Sequence, residues 1–245
     1  MKISNPASHM IFRQNEISLG IVLPAQARIK NDFDFPQQIA IARRADQLGF
    51  AGLWVRDVPL NSDRYPDPVG HADPWVLLGM LAASTEHIAL GTAAIVLPLR
   101  HPLHVAKAAL TMASSSTGRF LLGLGSGDRP GEYGAFGRNY EDRKVIFQNG
   151  WEEVSAALAG QGNLSGVANE QFYLRPRTDG VTIPLLAVGS SGQSLEWIAK
   201  NAFGWMTYYR ELTIQRDRIA LWNKAREKVT DGFGARVVEG TAFRL

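Results

Sequence analysis

Short apolar runs of strand length alternate with helix-length segments along most of the chain, and that alternation limits the possible folds more than any other feature. Strands are expected at 17–23 (ISLGIVL, ended by Pro24), at 52–55, from 88 into the run IALGTAAIVLPLRHP, and at 120–123, 183–188, 205–208 and 236–245. Between them lie helical patterns. The first has Asp34 as N-cap and Pro36 at an early position, with Ile39, Ala42, Ala45 and Leu48 at helical spacing before Gly49. Others are expected from Asp73-Pro74 to about 84, and at 103–113, 140–159, 192–200 and 212–229. Repeated strand–helix units argue for an α/β fold with a parallel sheet, and this many units favour a (β/α)8 TIM-type barrel over an open sheet. Leu48-Gly49-Phe50 before Trp54 and Phe203-Gly204 before Trp205 repeat the same helix-to-strand handover. Only seven strands can be traced and no helix follows the last, so the barrel is expected to be incomplete at its C-terminal end. Residues 1–245 read as one domain. Its irregular excursion at 160–181 holds a small strand at Phe172-Tyr173-Leu174.

The run from 88 to 102 reads as a strand buried on both faces, except that Gly91-Thr92-Ala93-Ala94 puts four small residues at its centre. Small residues there let a large flat body approach the backbone or let the backbone take an unusual shape; a tight helix–strand contact is the plainer account.

A net charge of +3, spread along 245 residues, traces no phosphate backbone, so nucleic acid is not expected as a partner. The longest apolar run is too short to span a bilayer. With no cysteine there is no disulfide framework, thiolate nucleophile or thiolate metal site, and with no N-terminal apolar leader pattern the cytoplasm is the expected location.

Active sites of such barrels gather at the carboxyl ends of strands. Those positions hold Arg56-Asp57, Thr92-Ala93-Ala94, Ser126-Gly127-Asp128-Arg129, Gly189-Ser190-Ser191 and Tyr208-Tyr209-Arg210. The glycines at 123, 125 and 127 are spaced GxGxG rather than GxGxxG, which weakens a dinucleotide-loop reading, and Ser126 lacks the GxSxG context of a hydrolase nucleophile. Gly189-Ser190-Ser191-Gly192, ahead of a helix expected to begin near Gln193, suits either phosphate binding or a simple serine cap. The five histidines, His9, His71, His87, His101 and His104, show no metal-ligand spacing, so no metal is assigned; capping of the following helix is the expected role of His101 and His104.

Three stretches, LGTAAIVLPLRHP, STGRFLLGLGSGDRPGEYGAFG and IPLLAVGSSGQSLEWIA, occur in an order that resembles the bacterial luciferase-like flavin monooxygenase family over about 17–209. The resemblance implies a (β/α)8 barrel holding reduced FMN, or coenzyme F420 in some branches, at the carboxyl ends of its strands. It implies a cis peptide between Ala93 and Ala94 beneath the cofactor ring, and a phosphate loop of Gly189, Ser190 and Ser191 with Gln193 and Ser194 at the helix start. Ser126 stands where luciferase carries a phosphate-binding arginine, for which Arg129 is the nearby substitute. Trp54-x-x-Asp57 keeps the acid of the luciferase pattern but not the two histidines that follow it, so light emission is not implied. The implied activity is oxidation of a small organic molecule with FMNH2 and O2, the reduced flavin coming from a separate reductase. Asp57 or Arg56, the catalytic candidates, is expected to meet that substrate at the end of the second strand, and Tyr208 or Arg210 at the end of the sixth. F420-dependent hydride transfer and a degenerate, non-catalytic flavin-binding protein are the alternatives. A homodimer or other homo-oligomer is expected, because an open barrel edge invites pairing.

Overall fold

The computed structural model describes residues 5–13, 16–25, 32–65, 70–160, 172–177, 180, 182–230 and 241–244. Its centre is a curled sheet whose strand pairs are all parallel. The strands are β1 (Gly20–Leu23), β2 (Gly52–Val55), β3 (Ala89–Thr92), β4 (Ile95–Val96), β5 (Phe120–Gly125), β6 (Leu185–Val188), β7 (Gly204–Tyr208) and β8 (Thr241–Arg244). Their spatial order is β1-β2-β3-β5-β6-β7-β8, with β4 continuing the line of β3 beside β5. Among the described residues no pairing joins β1 to β8.

The helices that cover the sheet are α2 (Phe35–Gln47), α3 (Pro74–Ser84), α4 (Pro102–Ser115), α6 (Arg143–Leu158), α7 (Leu195–Asn201) and α8 (Leu212–Thr230); α1 (Pro6–Ile11) and α5 (Pro130–Ala135) are single short turns elsewhere. Side-chain caps set most of the starts. Asp34 accepts from the Gln37 N–H, Asp73 from Trp75 and Val76, His101 through Nδ1 from Leu103, and Ser194 from Trp197. His101 therefore takes the capping role its position suggests.

Alternation within each strand divides the core in two. Leu53 and Val55, Leu90, then Phe120, Leu122 and Leu124, and Trp205 point outward into the layer beneath the helices. Trp54, Ala89, Leu121, Leu186 and Met206 point inward, and α1 seals the amino-terminal mouth of the sheet by adding Ala7 and Ile11 to this inner cluster. Asn5, the N-cap of α1, anchors the seal by donating to the carbonyls of Phe120 and Thr182 at 3.3 and 2.9 Å.

Several boundaries differ from those expected. The strand foreseen from 88 is two strands, β3 and β4, with Ala93-Ala94 between them. β1 starts at Gly20, and Phe172-Tyr173-Leu174 is not a strand. The glycine-rich stretch 125–137 contains α5, and α1 was not foreseen at all, since six residues are too few to show a helical period. Helix α7 begins at Leu195 rather than near Gln193. Most of the 160–181 excursion and positions 236–240 lie outside the described residues. No helix among the described residues is long and apolar enough to cross a membrane.

Candidate functional site

The break between β3 and β4 shapes the site. Gly91 pairs with Leu121 and Ile95 with Leu124, so four steps along β3–β4 match three along β5: one extra residue is bulged out. The Thr92 hydroxyl bridges the gap, donating to the Gly123 carbonyl at 2.7 Å and accepting from the Gly123 N–H at 2.8 Å. Position 123 has to be glycine, because a Cβ there would stand 1.9 Å from the Thr92 carbonyl oxygen. The Ala93 N–H donates to Val55 at 2.7 Å, and the Ala93–Ala94 peptide is cis.

Gly91 has a different reason for being small. A Cβ on it would lie 2.3 Å from the Trp54 ring, which also lies against Gly20 and Gly52. The large flat body against this glycine belongs to the protein itself. Only the alanines beyond it face open space.

Those alanines wall a cleft of about 400 Å³ at the carboxyl ends of the strands, a size within the usual range for small-molecule sites. The rest of its lining comes from Arg56, Asp57 and Val58 after β2, Gly125 to Arg129 after β5, Glu132 on α5, Tyr140 and Arg143, Val188 to Gly192 after β6, and Tyr208 on β7. Segments more than a hundred residues apart meet here. Of the residues singled out from the sequence, Arg56, Asp57, Ala93, Ala94, Ser126, Gly189, Ser190 and Ser191 all reach the cleft.

Gln193 and Ser194 do not line it. Gln193 donates through Nε2 to the Lys144 and Ser191 carbonyls at 3.1 and 3.3 Å, and Ser194 caps α7. Their work is to seat the loop after β6 against the first turn of α6. Gly192 completes that contact: its φ is +72°, and a Cβ would come 3.3 Å from the Lys144 Cβ. The Trp205 indole N–H fixes the other end of the loop by donating to Gly189 at 2.9 Å. The first residue of α6, Arg143, thereby joins Ser190 and Ser191 at one end of the cleft. The Arg143 guanidinium and the loop that carries Ser190 form a donor set suited to a phosphate, while the Ser191 hydroxyl is engaged, donating to the Val188 carbonyl at 3.2 Å. Arg143 escaped the sequence reading because nothing local marks it; it enters the site only when α6 packs on the β6 loop. Its guanidinium donates to Tyr140 O at 3.1 Å and lies 4.0 Å over that ring.

Asp57 is placed in the cleft but its carboxylate is engaged. It accepts from Arg100 Nε and Nη2, both at 2.8 Å, and from the Val96 N–H at 3.0 Å, with its side chain 2% exposed. Asp57 in turn holds the Arg100 guanidinium above its ordinary pKa, against the effect of burial. This geometry points away from proton transfer by Asp57 and makes it a clamp that ties the end of β2 to β4. Arg56 contacts His71 Nε2 at 3.2 Å. Arg129, the expected substitute for the missing phosphate arginine, turns toward the loop after β2: it donates to Leu60 O at 3.3 Å and sits 3.8 Å from Glu132. The buried Tyr133 hydroxyl donates to the Ser126 carbonyl, and burial pushes its pKa up to about 12, so it stays a neutral donor. No cluster of three or more His, Asp or Glu among the described residues could hold a metal ion.

The sequence model of the luciferase-like monooxygenases matches residues 11–239. The chain belongs to that family. Among curated relatives it is 28% identical over 207 residues to the F420-dependent hydroxymycolic acid dehydrogenase of Mycobacterium tuberculosis, covering 79% of this chain and 53% of that protein. The chain thus spans about half the length of that relative. Two solved structures share its fold. One is an F420-dependent secondary alcohol dehydrogenase in complex with an F420-acetone adduct, with a TM-score of 0.74, 15% identity, and 92% of this chain and 68% of that one covered. The other is the FMN complex of the oxygenating constituent of 3,6-diketocamphane monooxygenase from Pseudomonas putida, with a TM-score of 0.72, 15% identity, and 92% and 66% covered.

Proposed function

We propose that this luciferase-like chain is a flavin- or deazaflavin-dependent oxidoreductase, and in its first reading a monooxygenase using reduced FMN and O2 on a small organic molecule. One observation carries the proposal: the Ala93-Ala94 bulge and the Ser190-Ser191-Arg143 cradle line the same cleft. The residues fit the cofactor. Ala93, Ala94, Gly125 and Val188 offer a low wall for a planar ring, and the cradle offers donors for a phosphate. When bound, such a ring would supply the reducing electrons. This chain's residues would fix the ring's position, anchor its phosphate and limit water's access to it. Arg56 and Tyr208, at the ends of β2 and β7, line the cleft where a substrate would lie.

Hydride transfer from reduced F420 is the second reading. It is favoured by the dehydrogenase relative, which is named for that cofactor and covers 79% of this chain. We further propose a separate reductase as the source of reduced flavin, a homodimer as the working state, and the cytoplasm, a reducing compartment, as the setting for a chain without cysteine.

Titration of the purified protein with FMN, FMNH2 and reduced F420 tests the proposal, binding of at least one being expected. Oxygen consumption with FMNH2 then supports the monooxygenase. Substrate reduction without oxygen uptake supports the F420 reading, and tight flavin binding without turnover indicates a degenerate binding protein. Failure to bind any of the three overturns the proposal.

A further inference from the structure

Glu132 has no part in the cradle or the wall, yet it lines the cleft with a side chain only 8% exposed. Its Oε1 has no hydrogen-bond partner, although the Leu60 N–H bonds to the same carboxyl. The nearest cation, Arg129, stands 3.8 Å from that oxygen, beyond hydrogen-bond reach. A buried carboxylate oxygen left open in this way is costly unless it carries a proton or finds a partner.

We propose that Glu132 takes up a proton when the cleft fills and donates a hydrogen bond from Oε1 to an acceptor oxygen of the bound ligand. The inference rests on the reading above, since it assumes an oxygen-bearing anionic ligand. The surroundings agree. Arg129 from the start of α5 favours the ionised form. Asp57 from the end of β2 and Asp128 from the loop after β5 oppose it, and burial, the strongest influence, opposes it too. The net effect already lifts Glu132 above the ordinary carboxylate range. An anion seated nearby excludes water and adds negative charge, both of which favour the proton. The proton comes from solvent and returns to it when the ligand leaves.

Calorimetric titration of the full chain with oxidised FMN and with F420, in buffers of different ionisation enthalpy, measures the protons taken up per ligand. At pH 7 the wild type is expected to take up a sizeable fraction of one proton more than Glu132→Gln does. Its affinity should fall by up to about tenfold per pH unit above the midpoint, relative to the variant, as one linked proton requires. Glu132→Gln keeps shape and a donor and should bind with little dependence on pH, whereas Glu132→Leu should bind at least tenfold more weakly. Equal proton uptake by wild type and Glu132→Gln overturns the inference, as does undiminished binding by Glu132→Leu. Infrared difference spectra between pH 5 and 8, without ligand, give an independent readout. A carboxyl C=O band that is lost in Glu132→Gln and titrates above the ordinary range is expected even if neither cofactor binds. A wild type that binds nothing but shows this band counts against the proposed function alone. Absence of the band counts against Glu132.

Discussion

Single positions in the sheet are under unequal demand. At Gly91 the obstacle is a ring: an alanine methyl would stand 2.3 Å from Trp54, which would have to leave its seat against β1 and β2. Gly91→Ala is expected to cost about 1–3 kcal/mol, read from the urea midpoint. At Gly123 the obstacle is the backbone of Thr92, which has nowhere to go, so Gly123→Ala should be far worse and yield little folded protein. Arg143 is tested through the proposed phosphate site instead. Its helix starts with or without the guanidinium, so Arg143→Gln should leave the unfolding midpoint within about 0.5 kcal/mol of wild type. Losing one charged contact to a phosphate is worth about 1.5–3 kcal/mol, or roughly ten- to a hundredfold in affinity for FMN or F420 measured by fluorescence titration.

Two carboxylates hold elements together across long stretches of chain. Asp57 ties the end of β2 to β4 through the Val96 N–H and to the segment before α4 through Arg100, and removing the Arg100 guanidinium leaves a buried charge alone. Arg100→Met is therefore expected to lose about 3–5 kcal/mol, and Asp57→Asn in the Arg100→Met background should recover part of that in thermal unfolding. Asp46, near the end of α2, accepts from the N–H groups of Glu86, His87 and Ile88 where the chain enters β3. Burial works against its charge, but the three donors outweigh that and hold its pKa below the ordinary 3.8. With the folded value below the unfolded one, the stabilisation is complete above the unfolded value and is lost as pH falls through the folded one. Asp46→Ala should lower stability at pH 7 and flatten the loss of stability below about pH 4, as measured by denaturant titration across that range.

At the scale of the molecule, α3 presents Val76, Gly79, Met80 and Ala83 to solvent along one face, with Val76 60% exposed. A helix apolar on both sides is normally covered on both. If a second copy covers it, light scattering of the wild type will give twice the chain mass, and Val76→Glu with Met80→Glu will give a monomer that keeps its circular dichroism. An unchanged mass in the double variant would remove α3 from the interface.

Local chemistry made much of this architecture legible in the sequence. Strand–helix alternation, the caps at Asp34, Asp73 and His101, and the small residues around Ala93-Ala94 are all written within a few neighbouring positions. Period and capping depend on near neighbours, so they survive as sequence patterns. The short helices α1 and α5 were missed because one or two turns carry no period. Other features depend on residues distant in sequence: Trp54 filling the space over three glycines, Arg143 joining a loop nearly fifty residues later, and Asp57 spent on Arg100. The same is true of Glu132, whose missing partner is visible only once α5 is buried. Sequence alone determined where most of the longer strands and helices lie. Only packing in three dimensions decided which polar groups are satisfied and which, like Glu132 Oε1, are left without a hydrogen-bond partner.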